Sequence, residues 1–146
     1  METIKIKVKK LNDKAVIPTR GSEYSAGMDL YAAISRPAGI NPHETVKIPT
    51  GLSMELPEGT FGAIFASGLA TKSNLRPANC VGVCDSDYRG EYIVALHNDS
   101  DNTRIIEPNE RIAQVVVMPY IPIEFEEVDD LTDTERGDGG FGSTGK

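Results

Sequence analysis

No window of about 12 residues in this chain carries an apolar stripe at helical spacing, so the fold must be built mainly from strands. What recurs is a short apolar run, a cluster of Gly, Pro, Asn or Asp, and another short run, at intervals of roughly 8–12 residues. Thr3–Leu11 alternates Ile4, Ile6 and Val8 with lysines, the period of a half-buried strand with a cationic outer face. Met28–Ala33, Thr45–Ile48, Gly51–Leu56, Thr60–Ala66, Tyr92–His97, Arg104–Ile106 and Arg111–Met118 read as further strands. Ile121–Val128 alternates weakly and reads as a last one. A single helical turn near Leu69–Ser73 is the only helix the pattern allows. Many short strands between turn signals mean a sandwich, jelly roll or barrel.

The 146 residues suit one domain with its own core. Residues 1–128 carry the strand pattern; from Asp129 the composition changes to DDLTDTERGDGGFGSTGK, polar and Gly-rich. Such a segment buries too little apolar surface to offset its ordering entropy, so 129–146 is expected to be a flexible arm. A net charge of −7 gives no basic face for nucleic acid or a membrane surface, so neither is expected as a partner. A small anionic ligand stays possible, because a few cations and backbone N–H groups can hold one locally. Cys80 and Cys84 sit four apart on one candidate strand, roughly 13 Å at strand rise, too far to bridge. Free thiols and an N-terminus without a continuous apolar core suit the cytoplasm.

The stretch richest in chemistry is Val81–Tyr92, VGVCDSDYRGEY. Acidic residues and a Gly between β-branched runs signal a hairpin. Asp85 and Asp87 are either solvated turn residues or carboxylates at a pocket rim, with Tyr88 placed to stack on a flat ligand. Asp29 lies inside an apolar strand and needs a reason: it either caps backbone N–H groups or faces a site. Ser67-Gly68 opens SGLATKS, an ordinary turn or a helical turn whose free N–H groups meet an anion. The tail glycines lack Walker A spacing and no helix follows them. Within the tail Arg136 can clamp phosphate, Phe141 can lie over a base, and Ser143 can bind oxygens, the properties of a lid. His43 and His97 have no nucleophile beside them in sequence and read as surface or structural residues.

Five segments, in order, give the chain a resemblance to the trimeric dUTP pyrophosphatases, the dUTPases, from end to end. They are AGMDLYA at Ala26–Ala32, SGLA at Ser67–Ala70, VGVCDSDYRG at Val81–Gly90, RIAQV at Arg111–Val115 and RGDGGFGSTG at Arg136–Gly145. Each is weak alone; together, in this order and spacing, they are specific. The resemblance implies an all-β, jelly-roll-like barrel that forms a homotrimer, with active sites shared between subunits and the arm closing over a neighbour's site. It implies hydrolysis of dUTP to dUMP and pyrophosphate with Mg²⁺ on the triphosphate. By the same similarity Asp85 activates the attacking water, and Asn79 with the backbone of Val83 and Cys84 reads uracil. Tyr88 packs on the deoxyribose. Asp29 helps hold hydrated Mg²⁺. Ser67, Gly68 and Gln114 contact phosphates, and Arg136, Phe141, Gly142 and Ser143 form the lid.

One departure stands out. The family pattern places an Arg directly before the Ser-Gly pair, whereas Phe65–Gly68 reads FASG, one residue shorter. Loss of a charge-assisted contact costs a few kcal/mol, or about two orders of magnitude in rate if it acts in the transition state. A deletion beside a strand can also change which side chains face inward. The resemblance therefore leaves two expectations, a slowed pyrophosphatase or a dUTP-binding regulatory protein with weak turnover. Cys84 stands where an aliphatic residue is usual, a tolerable exchange for a small thiol.

Overall fold

The computed structural model describes residues 2–143. In chain order the strands are β1 (Lys7–Lys10), β2 (Thr19–Arg20), β3 (Met28–Tyr31), β4 (Ala38–Ile40), β5 (Thr45–Pro49), β6 (Leu52–Glu55) and β7 (Thr60–Phe65). A six-residue helix α1 (Gly68–Ser73) follows, then β8 (Leu75–Pro77), β9 (Gly82–Asp85), β10 (Ile93–Asn98), β11 (Arg104–Ile106) and β12 (Arg111–Pro119). The helical turn falls where the sequence allows it; Asn74 ends it in the left-handed conformation, φ 59°.

The strands form four antiparallel sheets: β1-β6, β5-β10-β8, β11-β4 and the five-stranded β2-β3-β12-β7-β9. Their inner faces share one core. Leu30, Ile40, Leu52, Leu96, Ile106 and Ala113, from six different strands, are fully buried in it. Alternation decides the facing: Val94 and Leu96 of β10 point in while Ile93 is exposed. Two buried polar side chains are satisfied. Asn98 donates to the carbonyls of Ile40 (2.9 Å) and Asn102 (2.8 Å) and accepts from the Ser100 amide and hydroxyl. The Thr50 hydroxyl donates to the Tyr92 carbonyl at 2.5 Å.

Three sequence expectations change. Val81–Tyr92 is not a ladder hairpin: β9 pairs with β7, whereas β10 pairs with β5 and β8 in another sheet. Between them the chain is drawn onto Leu52, whose carbonyl accepts from the Tyr92 amide at 2.8 Å, so the segment is a corner between sheets. Ile121–Val128 forms no strand; Ile121, Ile123 and Phe125 are 83%, 72% and 92% exposed and have no partner strand among the described residues. Thr3–Leu11 is ladder-paired only over Lys7–Lys10.

Candidate active site

β12 is the spine of the site. Gln114 lies opposite Asp29 on one side and Phe65 on the other, and Asp29 lies opposite Thr19. The first, second and fourth sequence segments therefore meet in one row across the five-stranded sheet. A register shift between Arg111 and Ala113 makes Ile112 and Ala113 consecutively buried, so Arg111 and Gln114 both face outward. Arg111 then stands with its Nε 3.9 Å from Asp29 and its guanidinium 5.9 Å from the Tyr31 ring centre. Tyr31 is hydrogen-bonded through its hydroxyl to Thr19. Asp29 thus faces outward beside a cation, with a side chain only 21% exposed.

The Gln114 side chain ties the row together. Its Nε2 donates to the Ala66 carbonyl at 2.9 Å. Its Oε1 lies so close to Gly27 that a Cβ there would sit 2.0 Å away. A glycine opening a strand signals such a close approach, and Gly27 in AGMDLYA carried that signal unread.

β7 leads into the second segment. That strand keeps continuous register with both β12 and β9, with Gly62 and Ile64 inward. Gly62 marks a close approach, its missing Cβ leaving room for the Tyr92 hydroxyl. Ala66 and Ser67 are the whole connection between β7 and α1. Ser67 takes the N-cap position in an extended conformation, yet its hydroxyl makes no capping bond and is buried without a partner. Gly68 is exposed.

The third segment lies at the far edge of the same sheet. β9 pairs only with β7, so its outer edge presents unpaired backbone N–H and C=O groups around Val83 and Cys84. Asn79 enters this edge through a turn, its carbonyl accepting from the Val81 amide at 2.7 Å and Cys80 at φ 65°. The Asn79 amide lies over Gly82. Asp85 ends β9, exposed, with no side-chain hydrogen bond or ion pair among the described residues. Its carbonyl accepts from the Tyr88 amide at 3.1 Å. Tyr88 lies across Gly90, donates its hydroxyl to the Glu91 carbonyl at 2.8 Å, and its ring sits 6.2 Å from that of Tyr92. Burial pushes the Cys84 thiol above its usual pKa and the Tyr92 hydroxyl well above its own. Asp87 is exposed. Glu91 carries no sequence signal of its own.

The structure does not bring the two carboxylates together. Asp85 is opposite Phe61 on β7, whereas the Asp29 row meets β7 at Phe65. Three strand spacings of about 4.8 Å and four residues of about 3.4 Å put the two aspartates roughly 20 Å apart.

The tail stands apart from both. Residues 121–138 are exposed throughout. Arg136 folds onto its own segment, Nε donating to the Gly139 carbonyl at 2.7 Å. Phe141 is fully exposed at φ 53°, Gly142 is at φ 80°, and the Ser143 amide donates to the Gly140 carbonyl at 3.0 Å. The last two residues of the fifth segment, Thr144 and Gly145, lie outside the described residues. Two surface grooves, of about 350 and 460 Å³, share Lys14, Ile34 and Ser35, and neither includes a residue of these segments.

Comparison with known proteins identifies the family. The dUTPase family model matches residues 13–145. Deoxyuridine 5'-triphosphate nucleotidohydrolase of Desulfitobacterium hafniense is 47% identical over 99% of both chains. The Arabidopsis thaliana protein of the same name is 48% identical over 95% of this chain and 82% of its own. The dUTPase of Staphylococcus bacteriophage 80alpha, solved with dUPNHPP, superposes with a TM-score of 0.89 at 29% identity, over 99% of this chain and 100% of that one. With an all-β architecture and a family match over nearly its whole length, the chain belongs to the dUTPase family.

Proposed function

We propose that the chain hydrolyses dUTP to dUMP and pyrophosphate in active sites shared between the subunits of a homotrimer. The observation that carries the reading is the split of the site. Hydrogen-bond reach is about 3 Å, so carboxylates roughly 20 Å apart cannot act on one phosphoanhydride within one copy. Apposing the Asp29–Gln114 row of one copy with the β9 edge of another supplies both. The exposed tail supports a third contribution. Among the described residues its apolar Ile121, Ile123 and Phe125 have no cover, while β1 pairs only with β6 and leaves a lysine-bearing edge open. In this reading the four sheets close as a jelly-roll-like barrel over 1–128, and 129–146 is the arm that closes over a neighbour's site.

Each residue then has a physical task. The free edge of β9 at Val83 and Cys84, with Asn79, matches the hydrogen-bonding edge of uracil and leaves no room for a 5-methyl group. Tyr88, held by Glu91 and Gly90, packs on the deoxyribose where a 2′-hydroxyl would clash. Asp85 accepts the proton of the attacking water; its open, solvated position suits a group that must reach a water molecule. Gln114, Ser67 and Gly68 line the phosphates, and Arg136, Gly142 and Ser143 close on them while Phe141 covers the base. Phosphoryl chemistry of this kind rests on positioning and charge neutralisation.

Mg²⁺ fits the donors present. No three His, Cys, Asp or Glu side chains cluster among the described residues, so the chain offers hard carboxylate oxygens singly rather than a cage. That suits a cation held mostly by water and phosphate oxygens, with Asp29 at its hydration shell. When bound, it neutralises phosphate charge. Free Cys80 and Cys84 accord with a cytoplasmic protein, and no described helix is long and apolar enough to cross a membrane.

The test is pyrophosphate release from dUTP beside dTTP, UTP and dCTP, with Mg²⁺. Release from dUTP alone is expected; equal rates on dCTP overturn the assigned specificity. The sequence Phe65–Gly68, FASG, without an Arg before the Ser-Gly pair, favours a second reading, a regulatory dUTP binder with weak turnover. Calorimetry with a non-hydrolysable dUTP analogue separates the two: tight binding without pyrophosphate release from dUTP selects the binder.

A further inference from the structure

We infer that Glu91 is a positioning residue that sets discrimination against the 2′-hydroxyl, by latching the Tyr88 corner to the segment before β6. The inference rests on the reading of Tyr88 as the sugar platform. Five hydrogen bonds join residues 50–53 to residues 90–92. The Thr50 hydroxyl and amide both donate to the Tyr92 carbonyl, at 2.5 and 3.2 Å. The Tyr92 amide donates to the Leu52 carbonyl at 2.8 Å, and the Ser53 hydroxyl to the Gly90 carbonyl at 3.2 Å. The fifth differs in kind: the Glu91 carboxylate accepts from the Gly51 amide at 2.8 Å. A carboxylate on a backbone N–H is the strongest type of bond in that set.

Glu91 is anchored at both ends. Its side chain holds Gly51, and its backbone carbonyl receives the Tyr88 hydroxyl at 2.8 Å. The far anchor is rigid. Gly51 adopts φ 69°, and a Cβ there would lie 2.9 Å from that of Ala15. Its own carbonyl accepts from the Leu11 amide at 2.7 Å. Gly51 is buried, whereas Tyr88 is exposed. The latch therefore transmits the geometry of a packed segment to an aromatic ring that would otherwise rest only on Gly90 and the edge of Tyr92. Discrimination between a hydrogen and a hydroxyl on the sugar depends on where that ring stands, and displacements of about 1 Å change such ratios steeply.

The experiment compares kcat/KM for dUTP and UTP in the full-length protein. Glu91→Ala is expected to lower the dUTP/UTP ratio about tenfold, and Glu91→Gln, whose amide oxygen still accepts from Gly51, to restore it. Tyr88→Phe removes the other end of the latch and is expected to lower the ratio similarly. The double variant Glu91→Ala/Tyr88→Phe should fall no further, because both act on one contact chain. Tyr88→Ala separates the two levels of the argument. If Tyr88→Ala leaves the ratio unchanged, the sugar-platform reading fails. If Tyr88→Ala collapses the ratio while Glu91→Ala and Tyr88→Phe do not move it, the platform stands and the latch is wrong. Should Glu91→Ala not fold, Tyr88→Phe, which loses one hydroxyl, decides alone.

Discussion

Replacing Gly27 by alanine tests the hub on which the site row depends. The new Cβ would stand 2.0 Å from Gln114 Oε1 and 2.9 Å from its Cδ, so the amide must swing away. It then gives up its 2.9 Å bond to the Ala66 carbonyl, in a half-buried position. The lost bond and the stranded carbonyl together cost about 2 kcal/mol, and an off-rotamer glutamine about 1 more. At about 2–4 °C per kcal/mol for a chain of this size, the midpoint should fall by roughly 6–12 °C. Because Ala66 leads directly into Ser67 and Gly68, kcat/KM for dUTP should fall about 10–100-fold. The decisive measurement is a double-mutant cycle by urea denaturation at fixed protein concentration. With Gln114→Ala as background the amide is gone and the Cβ contact at 3.2 Å remains, so Gly27→Ala should cost about 1 kcal/mol, leaving a coupling of about 2 kcal/mol. An equal cost of Gly27→Ala in both backgrounds refutes the reasoning, since Gly27 would then not act through Gln114.

Asp85→Asn should reduce pyrophosphate release by about 10²–10⁴-fold while calorimetry still detects dUTP binding; unchanged turnover removes Asp85 from its role. EDTA should stop release, and Asp29→Asn should raise the Mg²⁺ concentration needed for half-maximal rate; an unmoved Mg²⁺ dependence assigns Asp29 elsewhere. Inserting an arginine between Ala66 and Ser67 should raise turnover about 10–100-fold, and no rise means the family role of that position does not transfer here. Tyr92→Phe removes a buried hydroxyl without a partner and should stabilise the protein by about 1 kcal/mol. Burial raises the Tyr92 pKa, so the unfolded chain ionises first: stability is intact below pH ~10 and is lost as pH rises above it. Urea midpoints at pH 8 and 11 should show a smaller alkaline loss in Tyr92→Phe than in the unaltered protein, and equal losses contradict the assignment.

The strands were legible because alternation reports burial of one face, and Met28–Tyr31, Thr60–Phe65 and Arg111–Pro119 fall where the apolar periods lie. Pairing was not legible. The Asp-rich turn announced that the chain bends after Asp85 but not that Tyr92 leaves into another sheet, which is decided by Leu52, far away in sequence. Ile121–Val128 alternates weakly, and alternation needs a partner, which none of the described residues supplies. The site shows the same limit. Asp29 and Asp85 are conspicuous locally, whereas Arg111 beside Asp29, Gln114 on Ala66 and Glu91 on Gly51 are long-range contacts that no local pattern encodes.

The position of β12 also governs how this chain must be made. The strand that holds β3 and β7 apart, and on which the Asp29 row depends, is the last one synthesised. Until Arg111–Pro119 leaves the ribosome, β2-β3 and β7-β9 have no strand to join them, and each keeps an open edge of unpaired N–H and C=O groups. Non-local closure of this kind is slow and exposes strand edges while it waits. Chains truncated before β12 should therefore accumulate as aggregates rather than as inactive monomers, and nascent chains should depend on holding factors until the final strand closes the sheet.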